Sequence, residues 1–463
     1  HDALPIWLFT DEPNINRGVP KDAIRWTPDL FDVFEKTWNY NLVEHLPSLI
    51  EEVGDWKKVR HNYYQTLLQL FIDRWSKPNY EYCEENNLQW TGHYWEHGWP
   101  SPVHGGDNMA MYAWHQTPGI DMLFNTRSER PDQFGNNRAA KELISVANQM
   151  GCARTLSETY GASGYELNFE DMMRNGNWQF ALGVNLMTQH LSYYSIQGTR
   201  KYDFPQTFSY HAPFWEHYTV QNDYFGRLSL ALASGQQLNK ILVIEPTTSS
   251  WMYFSKLGSN KRFDEISNKF DDFIDELEML HIEYDIGCEN MIKDHGRSEN
   301  GAFVINKRKY DCVILPPGTD NLNSPTVQVL KHYLEQGGKV ISFEDEITRV
   351  DGAETTGISD LQSKYANQWQ KKGSLFEVLE ISNSDGFRIS KISFRRGELY
   401  HHRRKFKDGH LIFITNFSLD KRSRAEIYIN EKYLYFLDLM SGDILTHPVK
   451  QMNDRHSFKI EIQ

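Results

Sequence analysis

The chain has 463 residues, of which 40% are hydrophobic and 24% charged, and its formal net charge at pH 7 is −13. This length predicts about two to four domains, and the composition supplies enough apolar side chains for their cores. The acidic excess argues against nucleic acid or an anionic membrane surface as the main partner. No stretch approaches the roughly 18 consecutive apolar residues of a membrane-spanning helix. The sequence therefore predicts a globular protein of several domains with neither kind of partner.

Aromatic residues make up 14% of the chain, with 13 Trp, 24 Tyr and 26 Phe. Several rings stand among polar residues, as in residues 95–99. A flat ring with polar neighbours suits contact with a sugar, but large α/β domains also bury many aromatic side chains. On composition alone, burial is the better explanation.

The beginning of the chain has no charged segment followed by an apolar run, the pattern of a secretion signal. It opens almost directly on a strand-like run, residues 6–9, so we expect further residues upstream in the whole protein. The localisation stays open, and a secreted or periplasmic protein is compatible with the sequence.

The first half of the chain alternates strand-like runs with helical patterns. The runs end near Phe9, Trp95, Phe124, Leu156 and Tyr194. Strands that alternate with helices predict a parallel α/β sheet or barrel.

Three helices between these strands have clear sequence signals. Val59, Tyr63 and Leu67 recur at helical spacing and continue to Leu70. A second pattern, residues 138–150, stops before Gly151, which can end a helix. A third begins after Asn168, whose side chain can cap the first turn.

The pattern changes near residue 235. Buried strand-like runs and helices follow one another as in a small doubly wound α/β domain, which we place at 236–385 with a polar, linker-like stretch with one helix over 350–385. Alternating runs beyond it predict a β-sandwich at 386–463. Four cysteines are scattered without paired spacing and predict packing residues, namely Cys83, Cys152, Cys288 and Cys312. Cys288 and Cys312 lack the strand-to-helix turn of a nucleophile elbow, so we expect no catalysis in the doubly wound domain.

Two carboxylates stand at the ends of predicted parallel strands. Glu12 closes one run before Pro13, which cannot continue a strand, and Glu158 closes another. In a (β/α)₈ barrel these strand ends form the rim of the active site. Glycoside cleavage needs such a pair, one acid for the leaving oxygen and one base or nucleophile opposite. Either residue alone could equally be an ordinary loop carboxylate, whereas the pair favours the functional interpretation.

Glu12 and Glu158 resemble the acid/base on strand 4 and the second carboxylate on strand 7 of clan A glycoside hydrolases. Runs at 88–95, 117–124 and 184–194 would then be strands 5, 6 and 8. Local motifs resemble glycoside hydrolase family 106, the α-L-rhamnosidases; they are residues 157–161, 168–172, 183–185, 194–195 and 200–205 together with His190. The segment after residue 235 resembles the amidotransferase-like domain of family 42 β-galactosidases. One departure is Asp11 before Glu12, where many clan A members have Asn.

The predicted rim carries further candidates for contact with a sugar. The alternative is a structural loop for those after strand 5 and core packing for those near strand 8. After strand 5 they are His93, Trp95 and Glu96, and near strand 8 they are His190, Tyr194 and Trp215. Asp107 and Asp121 are acidic rim candidates. The sequence predicts no cofactor and no metal centre, although the family 106 resemblance would allow calcium at these two Asp residues.

Residues 93–97 also match H-x-x-E-H, a zinc-peptidase signature that requires a helix. Gly92, Gly98 and Pro100 around the motif, and a strand-like run before it, argue against that helix.

The sequence thus predicts an α/β protein in three parts. Residues 1–235 would be the last five β/α units of a (β/α)₈ barrel, followed by the doubly wound domain and the β-sandwich. The predicted function is glycoside hydrolysis with Glu12 as acid and Glu158 as base or nucleophile, on an α-L-rhamnoside first or a β-galactoside second. A catalytically silent carbohydrate-binding relative is the alternative, and the oligomeric state is not predicted.

Overall fold

The fold is described by a computed structural model that covers residues 6–16, 23–125, 133–258, 260–344, 346–391, 399–418, 421–452 and 455–462. Among these residues, no helix combines the length and apolar character that crossing a membrane requires.

A parallel sheet of five strands, in the order β1-β2-β3-β4-β5, forms the first half of the chain. Its strands are β1 (Ile6–Asp11), β2 (Leu88–His93), β3 (Thr117–Met122), β4 (Leu156–Thr159) and β5 (Leu186–Gln189). All four neighbouring pairs are parallel, as predicted. Within the described residues, β1 and β5 each have a free edge. We call these five strands the first sheet.

Seven α-helices accompany the first sheet: α1 (Leu30–Trp38), α2 (Trp56–Phe71), α3 (Lys77–Glu85), α4 (Asn108–Tyr112), α5 (Asn137–Met150), α6 (Phe169–Leu182) and α7 (Tyr218–Ala233). Shorter turns of 3₁₀ helix are Leu42–Leu49, Glu96–Gly98, Gly198–Tyr202 and Trp215–His217, and Ile72–Ser76 is a π-helical turn. The three predicted helices are confirmed as α2, α5 and α6. Gly151 ends α5 in the left-handed conformation, and the Asn168 side chain accepts from Asp171 N at the start of α6.

A glycine brings β1 and β2 together at the level of the strand ends. Gly92 has φ 136°, and a Cβ placed there would lie 2.0 Å from the carbonyl oxygen of Thr10. Only glycine therefore allows this approach. The next pair in the ladder is Asp11 opposite His93. In the same way Asp121 of β3 stands opposite Glu158 of β4.

A second parallel sheet follows, with β6 (Gln236–Gln237) before it. Its order is β17-β14-β12-β7-β8. The strands here are β7 (Ile241–Ile244), β8 (Tyr284–Gly287), β9 (Gly296–Glu299), β10 (Ala302–Ile305), β11 (Arg308–Tyr310), β12 (Cys312–Leu315), β13 (Asn321–Leu322), β14 (Lys339–Ser342), β15 (Arg349–Val350), β16 (Ala353–Glu354) and β17 (Trp369–Lys371). The helices are α8 (Thr247–Trp251), α9 (Lys261–Met279), α10 (Glu289–His295), α11 (Ser324–Glu335), α12 (Gly357–Lys364) and α13 (Leu375–Ser382), with a 3₁₀ turn at Asn383–Asp385. We call the part from β7 to α13 the second α/β unit.

Two sequence-based expectations about this unit were wrong. The stretch 350–385 is not a linker, because it contains α12, the edge strand β17 and α13, which are anchored by buried apolar side chains such as Trp369 and Val378. We also expected no strand-to-helix turn at Cys288. It lies directly between β8 and α10 and caps the helix. Its φ of −93° is unstrained, and burial raises the pKa of its thiol well above the usual value. A protonated, buried thiol is a poor nucleophile.

The C-terminal part is rich in β-structure, as predicted. Its strands are β18 (Arg388–Lys391), β19 (Leu399–Lys405), β20 (His410–Asn416), β21 (Ser423–Ile429), β22 (Leu434–Leu437), β23 (Ile444–His447), β24 (Lys450–Met452) and β25 (Arg455–Ile462). One sheet has the order β18-β21-β25-β24, a second has β20-β19-β6, and β22 pairs with β23. The first two sheets share one apolar cluster, which includes Ile389, Leu399 and Ile427. The pairing of β6 with β19 ties residues 236–237 to this part of the fold.

Candidate active site

Polar side chains of five neighbouring strand ends meet at one edge of the first sheet. β1 ends in Asp11 and Glu12 follows it, β2 ends in His93, and His190 comes directly after β5. We call this set the strand-end cluster, and its members are Asp11, Glu12, His93, Asp121, Glu158 and His190. In parallel α/β folds, ligands and substrates bind beyond this edge of the sheet.

His93 stands at the centre of the strand-end cluster. Its side chain is 1% exposed, and Nε2 lies 2.9 Å from Glu158 Oε2 and 3.8 Å from Asp11 Oδ1. Burial lowers the pKa of His93, but the hydrogen bond to Glu158 and the nearby carboxylates outweigh it and raise the pKa to about 10. The imidazole is therefore a cation at neutral pH. It donates a charge-assisted hydrogen bond to Glu158.

Glu12 lies beyond the end of β1 in a conformation that non-glycine residues seldom adopt, with φ 45°. Such strain is commonly held at functional positions. Burial raises the pKa of Glu12, and the charges of Asp11 and Glu158 raise it further, against the opposing effect of His93. The surroundings of Glu12 thus shift this carboxyl group toward the protonated acid.

Glu12 and Glu158 both approach the same imidazole ring. Donor atoms of Glu12, His93 and Asp121 lie within 4.8 Å of one another, and Glu158 hydrogen-bonds to His93. The two carboxyl groups are therefore separated by no more than one imidazole ring and two polar contacts. This upper limit includes both the about 5–5.5 Å of retaining glycosidases and the about 6.5–9.5 Å of inverting ones.

Asp121 belongs to the wall of the strand-end cluster, and Glu96 lies beneath it. Glu96 accepts from Asp121 N at 2.5 Å and from the Tyr112 hydroxyl at 3.1 Å. Burial raises the pKa of Glu96 to about 7 and that of Asp121 to about 8, although His93 lowers both. The prediction that Glu96 contacts sugar was wrong, since both of its carboxylate oxygens bind protein groups and its side chain is fully buried. It supports Asp121 instead.

Two other predicted residues are His190, a member of the strand-end cluster, and Trp95, which lies beside the cluster. His190 Nε2 is 3.9 Å from Glu158 Oε1. Trp95 is stacked on His104 at 4.1 Å, so one face of its ring is covered, and both rings line a small cavity with Pro13. Sugar contact by Trp95 stays a prediction. Residues 93–97 leave β2 and enter a single 3₁₀ turn, so the zinc-peptidase helix is not formed.

Three predicted rim residues are not brought to the cluster. Asp107 caps α4 and accepts from Cys288 Sγ at 3.0 Å and Asn290 Nδ2 at 2.9 Å, so its prediction as a rim or calcium residue was wrong. Tyr194 is 97% exposed and Trp215 is 42% exposed. No contact recorded within the described residues joins either ring to the cluster, and their roles stay predictions.

A family comparison decides the class of the protein. The family model of alpha-L-rhamnosidase, glycoside hydrolase family 106, matches residues 20–374. The chain belongs to this family. None of the curated proteins matches the chain.

Solved structures similar to this family 106 chain are glycosidases. A rhamnosidase from Novosphingobium sp. PP1Y superposes with a TM-score of 0.70 at 14% identity, over 94% of this chain and 42% of that one. A family 42 exo-carrageenase from Bacteroides ovatus gives 0.61 at 12% identity, over 94% and 62%. A family 42 beta-galactosidase from G. stearothermophilus gives 0.63 at 10% identity, over 98% and 78%. At these identities the likeness shows the fold. The chain spans less than two thirds of the first two proteins.

Sequence reasoning about this family 106 chain missed three residues of the site. Asp11, noted only as a departure from Asn, lies 3.8 Å from His93. Tyr112 holds Glu96, and Arg138 of α5 donates to the Glu96 carbonyl oxygen at 2.8 Å. Arg138 and Glu142 stand four residues apart on α5, which is a sequence signal for an ion pair. No signal in the sequence predicts that the Arg138–Glu142 pair lies under the strand-end cluster.

Proposed function

We propose that the protein containing this chain hydrolyses glycosidic bonds, with Glu12 as general acid and Glu158 as general base. The first-choice substrate is an α-L-rhamnoside in a plant or microbial polysaccharide or oligosaccharide, and a β-galactoside is the second. The observation that carries the proposal is that both carboxylates lie close to the His93 ring: Glu158 is hydrogen-bonded to it, and Glu12 has a carboxylate oxygen within 4.8 Å of a ring nitrogen. Burial also raises the pKa of Glu12.

The division of roles follows from the surroundings of the two carboxylates. A general acid must be protonated near neutral pH, and burial moves Glu12 in that direction. The base must take a proton from water, and the hydrogen bond from His93 holds the Glu158 carboxylate in place for this. Glu12 would protonate the leaving oxygen while Glu158 removes a proton from water on the other side of the sugar.

Inversion of the anomeric carbon is the stereochemical outcome that we propose. Retaining enzymes hold their carboxyl groups about 5–5.5 Å apart because one of them attacks the sugar directly, whereas inverting enzymes leave room for a water. The family 106 resemblance implies inversion.

The proposal includes a layout for the whole protein. Strands β1–β5 would be strands 4 to 8 of a (β/α)₈ barrel whose other strands pair with the free edges of β1 and β5. The domains would be residues 1–235, 236–385 and 386–463, the last a β-sandwich. An oligosaccharide is the only partner proposed.

The direct test is a panel of nitrophenyl glycosides incubated with the full-length protein. We expect turnover of the α-L-rhamnoside, and NMR of the fresh product should show the inverted anomer first. Preference for the β-galactoside would move the proposal to its second substrate, and retention would reassign Glu158 as a nucleophile. Binding of these sugars without turnover of any of them would contradict the proposal in favour of a silent carbohydrate-binding protein.

The strand-end cluster also offers a partial site for a divalent cation. Asp121 Oδ1 is buried without a hydrogen-bond partner among the described residues, and Glu12 and His93 have donor atoms within 4.8 Å. Calcium binds six to eight oxygens. Because Glu12 must keep its proton and His93 already binds Glu158, we assign Asp121 as the calcium ligand, with water and sugar hydroxyls as the others. A bound cation would orient the sugar and offset the negative charge.

Chelation tests this assignment on the full-length protein. We expect a chelator to lower the activity and calcium to restore it. Titration calorimetry should show that Asp121→Asn weakens calcium binding by at least about tenfold, the size typical of losing a group at a metal site. Asp223→Asn, on the exposed face of α7, is the control and should bind as the wild type does. Full activity in chelator would remove calcium from the proposal and leave the acid and base assignments standing.

A further inference from the structure

Arg138 is a buried guanidinium outside the strand-end cluster that contacts four different parts of the fold. It lies in the first turn of α5, with 3% of its surface exposed. Nη1 pairs with Glu142, Nε lies 3.3 Å from Asp271 of α9, and Nη2 donates to the Glu96 carbonyl oxygen at 2.8 Å. Its guanidinium carbon is 4.7 Å from the centre of the Trp99 ring.

The contact with Glu96 leads directly to the strand-end cluster. The Glu96 backbone is held by Arg138, and its carboxylate accepts from Asp121 N at 2.5 Å. Asp121 in turn stands opposite Glu158 in the sheet and close to Glu12 and His93. A shift of the Glu96–Gly98 turn would therefore displace the hydrogen bond between Glu96 and Asp121 of β3, which lies next to the catalytic pair.

On its other side, Arg138 reaches the second α/β unit. Glu142, its ion-pair partner, lies near Glu245, the residue directly after β7: burial and the charge of Glu142 raise the pKa of Glu245 well above the usual value. Trp99, which Arg138 covers, donates to Thr247 Oγ1 at 2.9 Å. Thr247 donates to Glu245 at 2.6 Å. These contacts close a ring between the site turn and the second unit.

We propose that Arg138 is a positioning residue of the active site and that the second α/β unit acts on the site through it. The inference rests on the proposed function, because it assigns a role in that same reaction. Arg138 touches no substrate. It holds the Glu96–Gly98 turn in place, so that the Glu96 carboxylate stays hydrogen-bonded to Asp121 N.

Lysine cannot replace this arginine. The planar guanidinium serves three acceptors in fixed directions, whereas an ammonium is a single point charge. Arg138→Lys keeps the charge beside Glu142 but loses the simultaneous contact with Asp271 and the Glu96 carbonyl. A misplacement of about 1 Å in a catalytic group can lower the rate about a hundredfold.

The experiment compares Arg138→Lys with Arg403→Lys in the full-length enzyme. Arg403 is equally buried and forks between Glu283 and Asp385, away from the strand-end cluster. For Arg138→Lys we expect kcat to fall about ten- to a hundredfold with KM within about threefold of wild type, since the loss lies in the positioning of reacting groups. Arg403→Lys should lower the melting temperature without changing kcat of the folded enzyme.

A double-mutant cycle separates positioning from general loosening. If Arg138 acts through Glu96, Arg138→Lys adds little to the kcat loss of Glu96→Gln, whereas independent effects would multiply. Multiplied losses, or equal kcat losses in Arg138→Lys and Arg403→Lys, would overturn the inference. Should Arg138→Lys not fold, Thr247→Val removes one hydroxyl from the same ring of contacts and should lower kcat about threefold or more; an unchanged kcat there would overturn it too.

Two further measurements distinguish this inference from the proposed function. If Glu12→Gln and Glu158→Gln retain wild-type activity, the proposed function fails and the inference falls with it. If those variants are inactive and Arg138→Lys is fully active, only the inference fails. A crystal structure of Arg138→Lys is independent of activity: we expect the hydrogen bond from Asp121 N to Glu96 to be broken, and an unchanged turn would contradict the role.

Discussion

Replacing Glu158 with Gln in the full-length enzyme is expected to lower kcat/KM about 10²- to 10⁴-fold on every glycoside that the enzyme cleaves. The amide can accept from His93 but cannot take a proton from water, so the attacking nucleophile is lost whatever the leaving group. Because the loss concerns water, activated and unactivated substrates should suffer alike. Initial rates on a nitrophenyl glycoside and on an oligosaccharide measure it.

Glu166 provides the matched control, since it is an exposed glutamate on the same loop beyond β4. Glu166→Gln should leave both rates unchanged. If Glu158→Gln retained more than about a tenth of the activity on both substrates, a base contribution of at least about a hundredfold would be excluded. The base would then be sought at Asp121, the other carboxylate paired with Glu158 across β3 and β4.

Glu12→Gln should discriminate between substrates. A nitrophenolate leaves without a proton, so we expect a loss below about tenfold there, whereas a sugar leaving group needs the acid and should lose about 10²- to 10⁴-fold. The pH profile supplies a second readout. An acid works only while protonated, so wild-type kcat/KM on the oligosaccharide should fall as the pH rises through the raised pKa of Glu12, and the variant should lack that limb.

Two results would count against Glu12 as the acid. One is an equal loss on both substrates, which would indicate a binding or structural role. The other is an alkaline limb that survives in Glu12→Gln and disappears in Asp121→Asn, because Asp121 also has a raised pKa, near 8. The same Glu166→Gln variant controls both measurements.

Local signals in the sequence predicted most of the first sheet. The helix that Asn168 caps and the helix that Gly151 ends are set by groups within a few residues, and each strand was marked by its own apolar run. Glu12 and Glu158 could be proposed together because the geometry of parallel sheets requires strand ends to share an edge. That requirement is general and needs no knowledge of individual contacts.

The errors concern contacts between residues far apart in the chain. Glu96 resembled a rim residue in its motif, but Asp121 N and the Tyr112 hydroxyl hold it below the site. Asp107 resembled a free acidic residue until Cys288 and Asn290, some 180 positions later, were seen to bind it. Neither burial can be read from neighbours in sequence, because Glu96 is covered by other elements around the first sheet and Asp107 is covered by the second α/β unit.

The ring of contacts around Arg138 also constrains how such a protein can change over generations. A substitution at Thr247 or Glu245 would change the contacts that support the Glu96–Gly98 turn. A changed loop after β2 would likewise no longer fit the residues that follow β7. Active homologues would then carry paired substitutions in the loop after β2 and in the residues that follow β7. A chimaera that carries the second α/β unit of a distant relative should therefore be inactive unless residues 95–108 are replaced together with that unit.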